Sequence, residues 1–171
     1  VINHLTGEEM PESRNVLVES ARIARGEVKD IREAKAEDFD ALIVPGGFGV
    51  AKNLSNFAVE GANCSVNPDV LALAEAFADA CKPVGLICIS PALAAKIYGP
   101  GVVCTIGSDA GTAAAVEKMG GTHEACDVHD IVEDTQRKLV TTPAYMEAKS
   151  ISEAAGGIYK LVDRVLELTH E

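Results

Sequence analysis

Short, continuous apolar runs in this chain alternate with longer stretches in which apolar residues recur at helical spacing. The runs at 41–44 and 84–88 end at turn-forming residues and predict two buried parallel strands, and a third strand is predicted at 102–106. Helices are predicted at 13–25, 68–80, 90–98 and 109–119. The clearest apolar stripe belongs to a last helix and consists of Ile151, Ala154, Ala155, Ile158, Leu161, Val162, Val165 and Leu166. Alternating strands and helices predict a doubly wound α/β sandwich with a mostly parallel central sheet.

Polar and glycine-rich stretches complete this prediction. Ser13 and Asp109 are the expected N-caps of their helices. A short strand is expected at 28–31 and a long loop at 46–67. Period-two segments at 123–132 and 138–142 flank a turn and predict a hairpin or an edge pair. On its first strand His123, Asp127 and His129 would share one face, which is better explained as the polar face of an edge strand than as a metal site.

Cys88 is the most informative residue, because it follows a buried strand and precedes a helix. A side chain at that turn points outward at the carboxyl end of the strand, beside the free N–H groups of the helix start. Those groups favour negative charge at the cysteine. The arrangement is that of a nucleophile elbow with Cys in place of Ser. The alternative is that Cys88 is a buried small hydrophobic residue.

Two further segments are expected to end at the same edge of the sheet. Gly46 and Gly47 follow the first strand, and Thr142 and Pro143 follow the strand at 138–142. Without side chains, the glycines let backbone N–H groups approach a substrate, and with the N–H of Ile89 they would form an oxyanion hole. The glycine pair alone would indicate only a turn. Lys52 and Asn53 either line this pocket or cap the loop.

Composition narrows the classes of partner. The 171 residues carry a formal net charge of −11, which argues against nucleic acid and anionic membranes. No apolar run approaches the ~18 residues of a membrane span, so no membrane insertion is expected. The five cysteines form no CxxC pair, which disfavours a disulfide scaffold and a structural zinc site. A reducing compartment fits best: the cytoplasm of a bacterium, or the matrix of a mitochondrion or plastid. Cys81 and Cys104 are expected in the core, and Cys64 on the surface or near Cys88 as a redox partner.

Three motifs together resemble a known family. They are Ile-Val-Pro-Gly-Gly-Phe-Gly-Val-Ala-Lys-Asn-Leu-Ser-Asn-Phe at 43–57, Cys-Ile-Ser-Pro-Ala at 88–92, and Val-Thr-Thr-Pro-Ala-Tyr-Met at 140–146. The chain is similar over essentially its whole length to the ElbB-like branch of the ThiJ/PfpI superfamily, relatives of the class I glutamine amidotransferases. The resemblance implies one flavodoxin-like domain over residues 1–171, with Cys88 as nucleophile and Gly46, Gly47 and Ile89 around an oxyanion pocket. It also makes His4 a candidate acid–base group, against a structural hydrogen-bonding role.

The chain departs from the family pattern in two respects. Many PfpI-type proteins have His after the nucleophile, whereas this chain has Ile89, which makes protease activity doubtful. The family also begins with a strand–loop–helix unit whose loop supplies a carboxylate beside the cysteine, and this chain starts after it. The resemblance therefore implies an N-terminally incomplete domain, whose missing strand is supplied by preceding residues or by another polypeptide.

The resemblance implies a cofactor-free, cysteine-dependent enzyme that acts on small aldehydes, of the glyoxalase type that converts glyoxal to glycolate. The alternative is a non-catalytic amidotransferase-like subunit with an interaction or redox-sensing role. A homodimer or membership of a larger assembly is expected in either case. Glutamine amidotransferase activity is the weakest hypothesis, because no Cys…His-x-Glu triad follows in chain order.

Overall fold

A computed structural model describes all residues from Val1 to Glu171. The chain divides into two compact units, Val1–Ala34 and Lys35–Glu171, and each is described by itself. No helix has both the length and the apolar character needed to cross a membrane.

The first unit contains an isolated bridge between Ile2 and Glu9 and one helix, α1 (Val16–Ile23). The N-cap of α1 is Asn15, whose side chain accepts a hydrogen bond from the Val18 N–H at 3.1 Å, so the prediction of Ser13 as the cap is wrong. The predicted strand at 28–31 is also wrong. Asp30 accepts from the backbone N–H of Arg32 and caps a 3₁₀ turn there instead, because a local side-chain bond competes with strand pairing.

The second unit contains six strands and five helices. The strands are β1 (Leu42–Val44), β2 (Val84–Ile87), β3 (Val103–Cys104), β4 (Thr122–His123), β5 (Val132–Asp134) and β6 (Leu139–Thr142). The helices are α2 (Phe57–Glu60), α3 (Pro68–Asp79), α4 (Ala94–Tyr98), α5 (Ala110–Lys118) and α6 (Ile151–Leu168). Four strands form a sheet in the order β1-β2-β6-β5, in which only β5 is antiparallel, and β3 and β4 form a separate parallel pair. The prediction of an α/β fold with a mostly parallel central sheet is confirmed.

Side chains on the two faces of β2 enter different parts of the core. Val84 and Leu86 pack with Phe77 of α3 and with residues of α4 and α5, whereas Ile87 packs on the opposite face with Leu161 and other residues of α6. All four β2 residues are buried. The sheet is therefore covered on both faces around β2 and β6, as a doubly wound sandwich requires.

Helix α6 packs closely against β2 at Gly85, because this residue has no side chain. A Cβ at Gly85 would lie 2.7 Å from Leu161 Cδ2 and 3.2 Å from Ile43 Cγ1. The α6 stripe is confirmed at Ala154, Leu161 and Val165, but its ends are wrong: Ile151 and Leu166 are exposed.

Two other predictions about the second unit need correction. The long loop predicted at 46–67 contains a π-helical turn (Val50–Leu54), α2 and a 3₁₀ turn (Gly61–Asn63). These helical turns are three to five residues long, which is too short to produce a helical period of apolar residues in the sequence. The predicted strand at 123–132 consists of two short strands, β4 and β5, joined by irregular backbone. The hairpin itself is confirmed, since β5 pairs antiparallel with β6.

β1 has a strand on only one side. It pairs in parallel with β2, and it lies at the end of the strand order. The pattern of its sequence predicted a central strand, because a continuous apolar run ends in Pro-Gly-Gly. Within these 171 residues β1 is an edge strand, and Ile43 is 36% exposed.

Replacement of Gly85 by Ala is expected to destabilise the fold by about 1 to 3 kcal/mol, because the added methyl group overpacks the contact between β2 and Leu161. The matched control is Gly111→Ala in α5, where the nearest atom to an added Cβ is Asp109 Oδ1 at an ordinary 3.6 Å. That change removes a helical glycine and should stabilise the protein by up to about 1 kcal/mol. Urea denaturation of both variants measures the difference, and equal effects would contradict the packing argument.

Candidate functional site

Cys88 lies at a sharp turn directly after β2. Its φ of +63° is in the left-handed region, which a residue with a Cβ rarely adopts. The Cys88 N–H donates to the Thr142 carbonyl at 3.0 Å, so the turn begins where the β2–β6 pairing ends. The single helix predicted after Cys88 is a 3₁₀ turn (Ser90–Leu93) followed by the short α4. Cys88 thus has a left-handed backbone and a half-buried side chain at a sharp turn between a strand and a helical segment, and its role as a nucleophile stays a prediction.

The turn after β1 packs directly against this elbow. Gly46 has φ +95°, and a Cβ there would lie 2.6 Å from the Ile87 carbonyl oxygen and 2.8 Å from Cys88 Cβ. Only glycine fits both the conformation and the space at this position. Gly46 therefore holds the two strand ends in contact.

The next glycine faces open space. Gly47 has φ +88°, and no atom lies within 4 Å of the position that a Cβ would occupy. Gly47, Cys88 and Ile89 all border one cavity of about 550 Å³. Its remaining lining consists of Phe48, Ala51, Phe57, Ala58, Tyr145 and Met146. A thiol and glycine backbone thus meet in a cavity with mostly apolar walls.

The structure brings together only some of the predicted site residues. Gly46, Gly47, Cys88 and Ile89 meet at the elbow, as expected from the carboxyl ends of neighbouring parallel strands. Thr142 is buried: its carbonyl accepts from Cys88, and its hydroxyl donates to the Asp130 carbonyl at 2.7 Å. Its position is one that orients Cys88. Pro143 is also buried, and Asn53 is exposed on the π-helical turn; neither borders the cavity.

The aromatic walls of the cavity were missed by sequence reasoning. Phe48 follows Gly47 directly, and Tyr145 follows the Thr142-Pro143 segment, so both come from the segments expected at this edge. The only sequence signal for these two residues was their position in the segments that follow the strands. No periodicity indicated that their side chains would line a cavity. Lys52 does not border the cavity, and its ammonium lies 5.4 Å from the centre of the Phe48 ring.

His4 lies in the first unit, in the turn between the bridged residues Ile2 and Glu9, and is exposed. Its acid–base role stays a prediction.

The residues weighed for a metal do not share a strand face. The His123 ring Nε2 accepts from the Ile106 N–H at 3.2 Å, whereas His129 Nδ1 lies 3.0 Å from Asp127 Oδ1 in an exposed loop. The period-two alignment of these side chains is wrong, because β4 ends at His123. No group of three His, Cys, Asp or Glu residues in the described chain is arranged to hold a metal ion.

Comparison with known proteins identifies the family, although no family model matches the chain. The chain is 46% identical to the ES1 protein homolog, mitochondrial, of Rattus norvegicus, an alignment that covers 99% of the chain and 67% of that protein. It is also 46% identical to the human glutamine amidotransferase-like class 1 domain-containing protein 3, mitochondrial, over 99% of the chain and 66% of the relative. The chain belongs to this glutamine amidotransferase-like family. It spans about two thirds of the length of these relatives.

A solved structure agrees with this membership. The crystal structure of an isoprenoid biosynthesis protein with an amidotransferase-like domain from Ehrlichia chaffeensis superposes with a TM-score of 0.89 at 37% identity. The match covers 98% of this chain and 77% of the other. The amidotransferase-like fold thus extends to nearly every residue described above.

The other four cysteines of this family member lie in different environments. Cys64 is buried against Met119, with the two sulfurs 3.8 Å apart, so the prediction of a surface residue is wrong. Cys104 is in the core as predicted, and burial raises its pKa to about 12. Cys81 is exposed, which contradicts the prediction of a core position, because it follows the end of α3 at φ +53°. Burial, with Asp130 and Asp127 nearby, raises the pKa of Cys126 to about 11.

Cys88 is expected to react with iodoacetamide before the other cysteines at neutral pH, because it opens on a cavity while Cys64 and Cys104 are buried. Since a raised pKa keeps a thiol protonated, labelling of Cys126 should be slow at pH 7 and increase until about pH 11. Peptide mapping after timed alkylation measures both rates.

Cys81 is the competing exposed thiol, so the labelling is repeated in a Cys81→Ser background. Earlier labelling of Cys126 or Cys64 than of Cys88, or of Cys81 in the unsubstituted protein, would contradict the prediction that Cys88 is the nucleophile.

Proposed function

We propose that this chain carries the catalytic cysteine of a cofactor-free enzyme of the glyoxalase type, which converts glyoxal to glycolate. The observation that supports this most directly is the left-handed Cys88 at the border of a cavity shared with Gly47 and Ile89. Strained backbone that presents a nucleophile at a strand end is characteristic of acyl- and carbonyl-directed catalysis.

The proposed reaction begins when Cys88 Sγ adds to one aldehyde carbon, and the carbonyl π electrons move to its oxygen. The N–H groups of Gly47 and Ile89 would stabilise that oxyanion. The hydrogen on the attacked carbon then moves as a proton, through an enediol, to the neighbouring carbon. This leaves a thioester and a hydroxymethyl group. Water cleaves the C–S bond and releases glycolate and the thiol. One carbon is oxidised and its neighbour reduced, so no external oxidant or reductant enters the balance.

The glutamine reaction suggested by the names of the relatives is less well supported here. A free amino acid carries an α-ammonium and an α-carboxylate, and buried charges need partners. None of the residues that line the cavity is charged. The amidotransferase-like fold is therefore proposed to serve a neutral carbonyl substrate.

We place the chain in the ElbB-like branch of the superfamily, on the motifs at 43–57, 88–92 and 140–146. The Ehrlichia relative, an isoprenoid biosynthesis protein by its description, is compatible with this branch. The rat and human relatives are mitochondrial by name, which supports a mitochondrial matrix over a plastid for this chain.

The proton carrier is proposed to come from outside these 171 residues. Cys88 Sγ has no hydrogen-bond partner in the chain. The free edge of β1 lies beside the elbow, since Gly46 follows β1 and contacts Cys88. A further parallel strand on β1 would end at the same edge, and a carboxyl group in its loop would reach the sulfur. This is the N-terminally incomplete domain that the family resemblance implies.

The alternative function is a non-catalytic or redox-sensing subunit, alone as a homodimer or in a larger assembly. The lack of a hydrogen-bonding base beside Cys88 favours it. The two functions predict different outcomes in the following experiment.

The full-length protein is expected to consume glyoxal and release glycolate, and Cys88→Ser should lower the rate by at least about a thousandfold. The substitution should leave Tm unchanged, because it replaces one small side chain by another of similar shape. Cys81→Ser is the matched control, since Cys81 is exposed and does not border the cavity. Equal turnover by wild type and Cys88→Ser, or no turnover of several aldehydes, would favour the interaction function.

An experimental structure of the full-length protein should show a strand hydrogen-bonded to Leu42–Val44 on the side away from β2. An Asp or Glu in the loop after it should lie within hydrogen-bond distance of Cys88 Sγ. A β1 that remains unpaired would contradict the proposed proton carrier.

A further inference from the structure

The largely apolar walls of the cavity at Cys88 favour a substrate with an apolar part over one that is polar throughout. Phe48, Phe57, Tyr145 and Met146 contribute the large side chains, and Ala and Ile residues fill the spaces between them. Polar backbone is concentrated near Cys88, where Gly47 and Ile89 lie. A matching ligand has one polar, reactive end and an apolar remainder.

The charges around the cavity point to an uncharged ligand. The chain has 26 acidic residues and 15 Lys and Arg residues, yet none of them lines this cavity. The ammonium of Lys52 lies 5.4 Å from the centre of the Phe48 ring, and Lys52 itself is not part of the lining. A carboxylate in the ligand would therefore lack a cationic partner in the cavity wall.

The size of the cavity also indicates a ligand larger than glyoxal. Its volume of about 550 Å³ falls in the range of pockets that hold ligands much larger than a two-carbon dialdehyde. Glyoxal at Cys88 would leave in contact with water those parts of the aromatic walls that the further segment proposed above does not cover. An aryl or branched alkyl group on the carbonyl compound would cover those walls and remove their apolar surface from water.

Phe48 is the wall residue that best tests this idea. Its side chain is 79% exposed although it borders the cavity, so it contributes little to the core. Phe57, by contrast, also packs against the main hydrophobic cluster, and its removal would affect folding. An exposed aromatic ring beside a reactive thiol is better explained by contact with a ligand, or with the further segment proposed above, than by contact with the core.

We infer that the Cys88 site takes uncharged carbonyl compounds with an apolar substituent, such as aryl α-oxoaldehydes, in preference to glyoxal. This inference rests on the proposed function and specifies its substrate class. The balance is unchanged: the aldehyde carbon becomes the carboxyl carbon, the adjacent ketone becomes a secondary alcohol, and one water is consumed. Phenylglyoxal would thus give mandelate.

The test compares kcat/KM for phenylglyoxal and glyoxal in the full-length protein, with the rate of Cys88→Ser subtracted as background. Wild type should prefer phenylglyoxal by at least about tenfold. In Phe48→Ala the ratio of kcat/KM for phenylglyoxal to kcat/KM for glyoxal should fall by about threefold to tenfold, because the phenyl ring of the substrate loses its contact with Phe48. The ratio corrects for the different intrinsic reactivity of the two aldehydes. Val59→Ala is the matched control, since Val59 is 81% exposed on α2 and does not border the cavity.

A second measurement separates failure of this inference from failure of the proposed function. Acetophenone, an unreactive aryl ketone under these conditions, should slow the alkylation of Cys88 in wild type and do so less in Phe48→Ala. Sodium acetate at the same concentration should have no effect. If glyoxal is consumed but the ratio is the same in wild type and Phe48→Ala, the inference is wrong and the proposed function stands. If no aldehyde is consumed, the proposed function fails. In that case, protection of Cys88 from alkylation by acetophenone would still support an uncharged, apolar ligand. Lack of protection would show that the inferred ligand class is wrong.

Discussion

The site depends on the contact between Gly46 and the turn at Ile87 and Cys88. Parallel strands β1 and β2 end side by side, with Val44 paired to Leu86. The residues that follow them, Gly46 and Cys88, therefore lie very close together. Gly46 makes this approach feasible because a Cβ would collide with both the Ile87 carbonyl and Cys88 Cβ. Gly46 leaves room for Cys88 at positive φ, and the position that a Cβ of Gly47 would occupy is open. The strained conformation of Cys88 is thus compatible with the neighbouring turn only because Gly46 has no side chain.

Support for the same turn also comes from β6, the neighbour of β2 on the side away from β1. The Thr142 carbonyl accepts the Cys88 N–H, and the Thr142 hydroxyl is bound to the Asp130 carbonyl. Helix α6 reaches this layer because Gly157 has no Cβ, which would otherwise lie 2.6 Å from Thr142 Oγ1. Farther from the site, Arg164 of α6 bonds Glu133 of β5 at 2.8 and 3.0 Å and fixes the helix against the sheet edge. The elbow therefore rests on a packed layer rather than on a flexible loop.

Much of this could be predicted from the sequence, for identifiable reasons. Continuous apolar runs locate β1 and β2, and a strand followed by Cys and a helical pattern locates the elbow, because these signals are local. The Asp109 cap of α5 is likewise confirmed, with Thr112 as its donor at 2.7 Å. The exposure of Cys81 and the burial of Cys64 could not be predicted, since both depend on short turns that leave no periodic signal. Phe48 and Tyr145 were missed as cavity walls although their segments were expected at the same edge, because no periodicity shows which side chain of a turn faces a cavity.

The cavity wall is also connected to a distant loop through Glu147. Tyr145 and Met146 belong to a 3₁₀ turn, and Glu147, the next residue, accepts hydrogen bonds from both the backbone N–H and the hydroxyl of Ser108. Gly107, at φ +96°, leaves no space for a Cβ beside that carboxylate. The hydrogen bonds from Ser108 in the loop before α5 therefore help to hold the turn that contains Tyr145. Gly107 and Ser108 do not border the cavity, yet their contacts with Glu147 help to set the position of one of its walls.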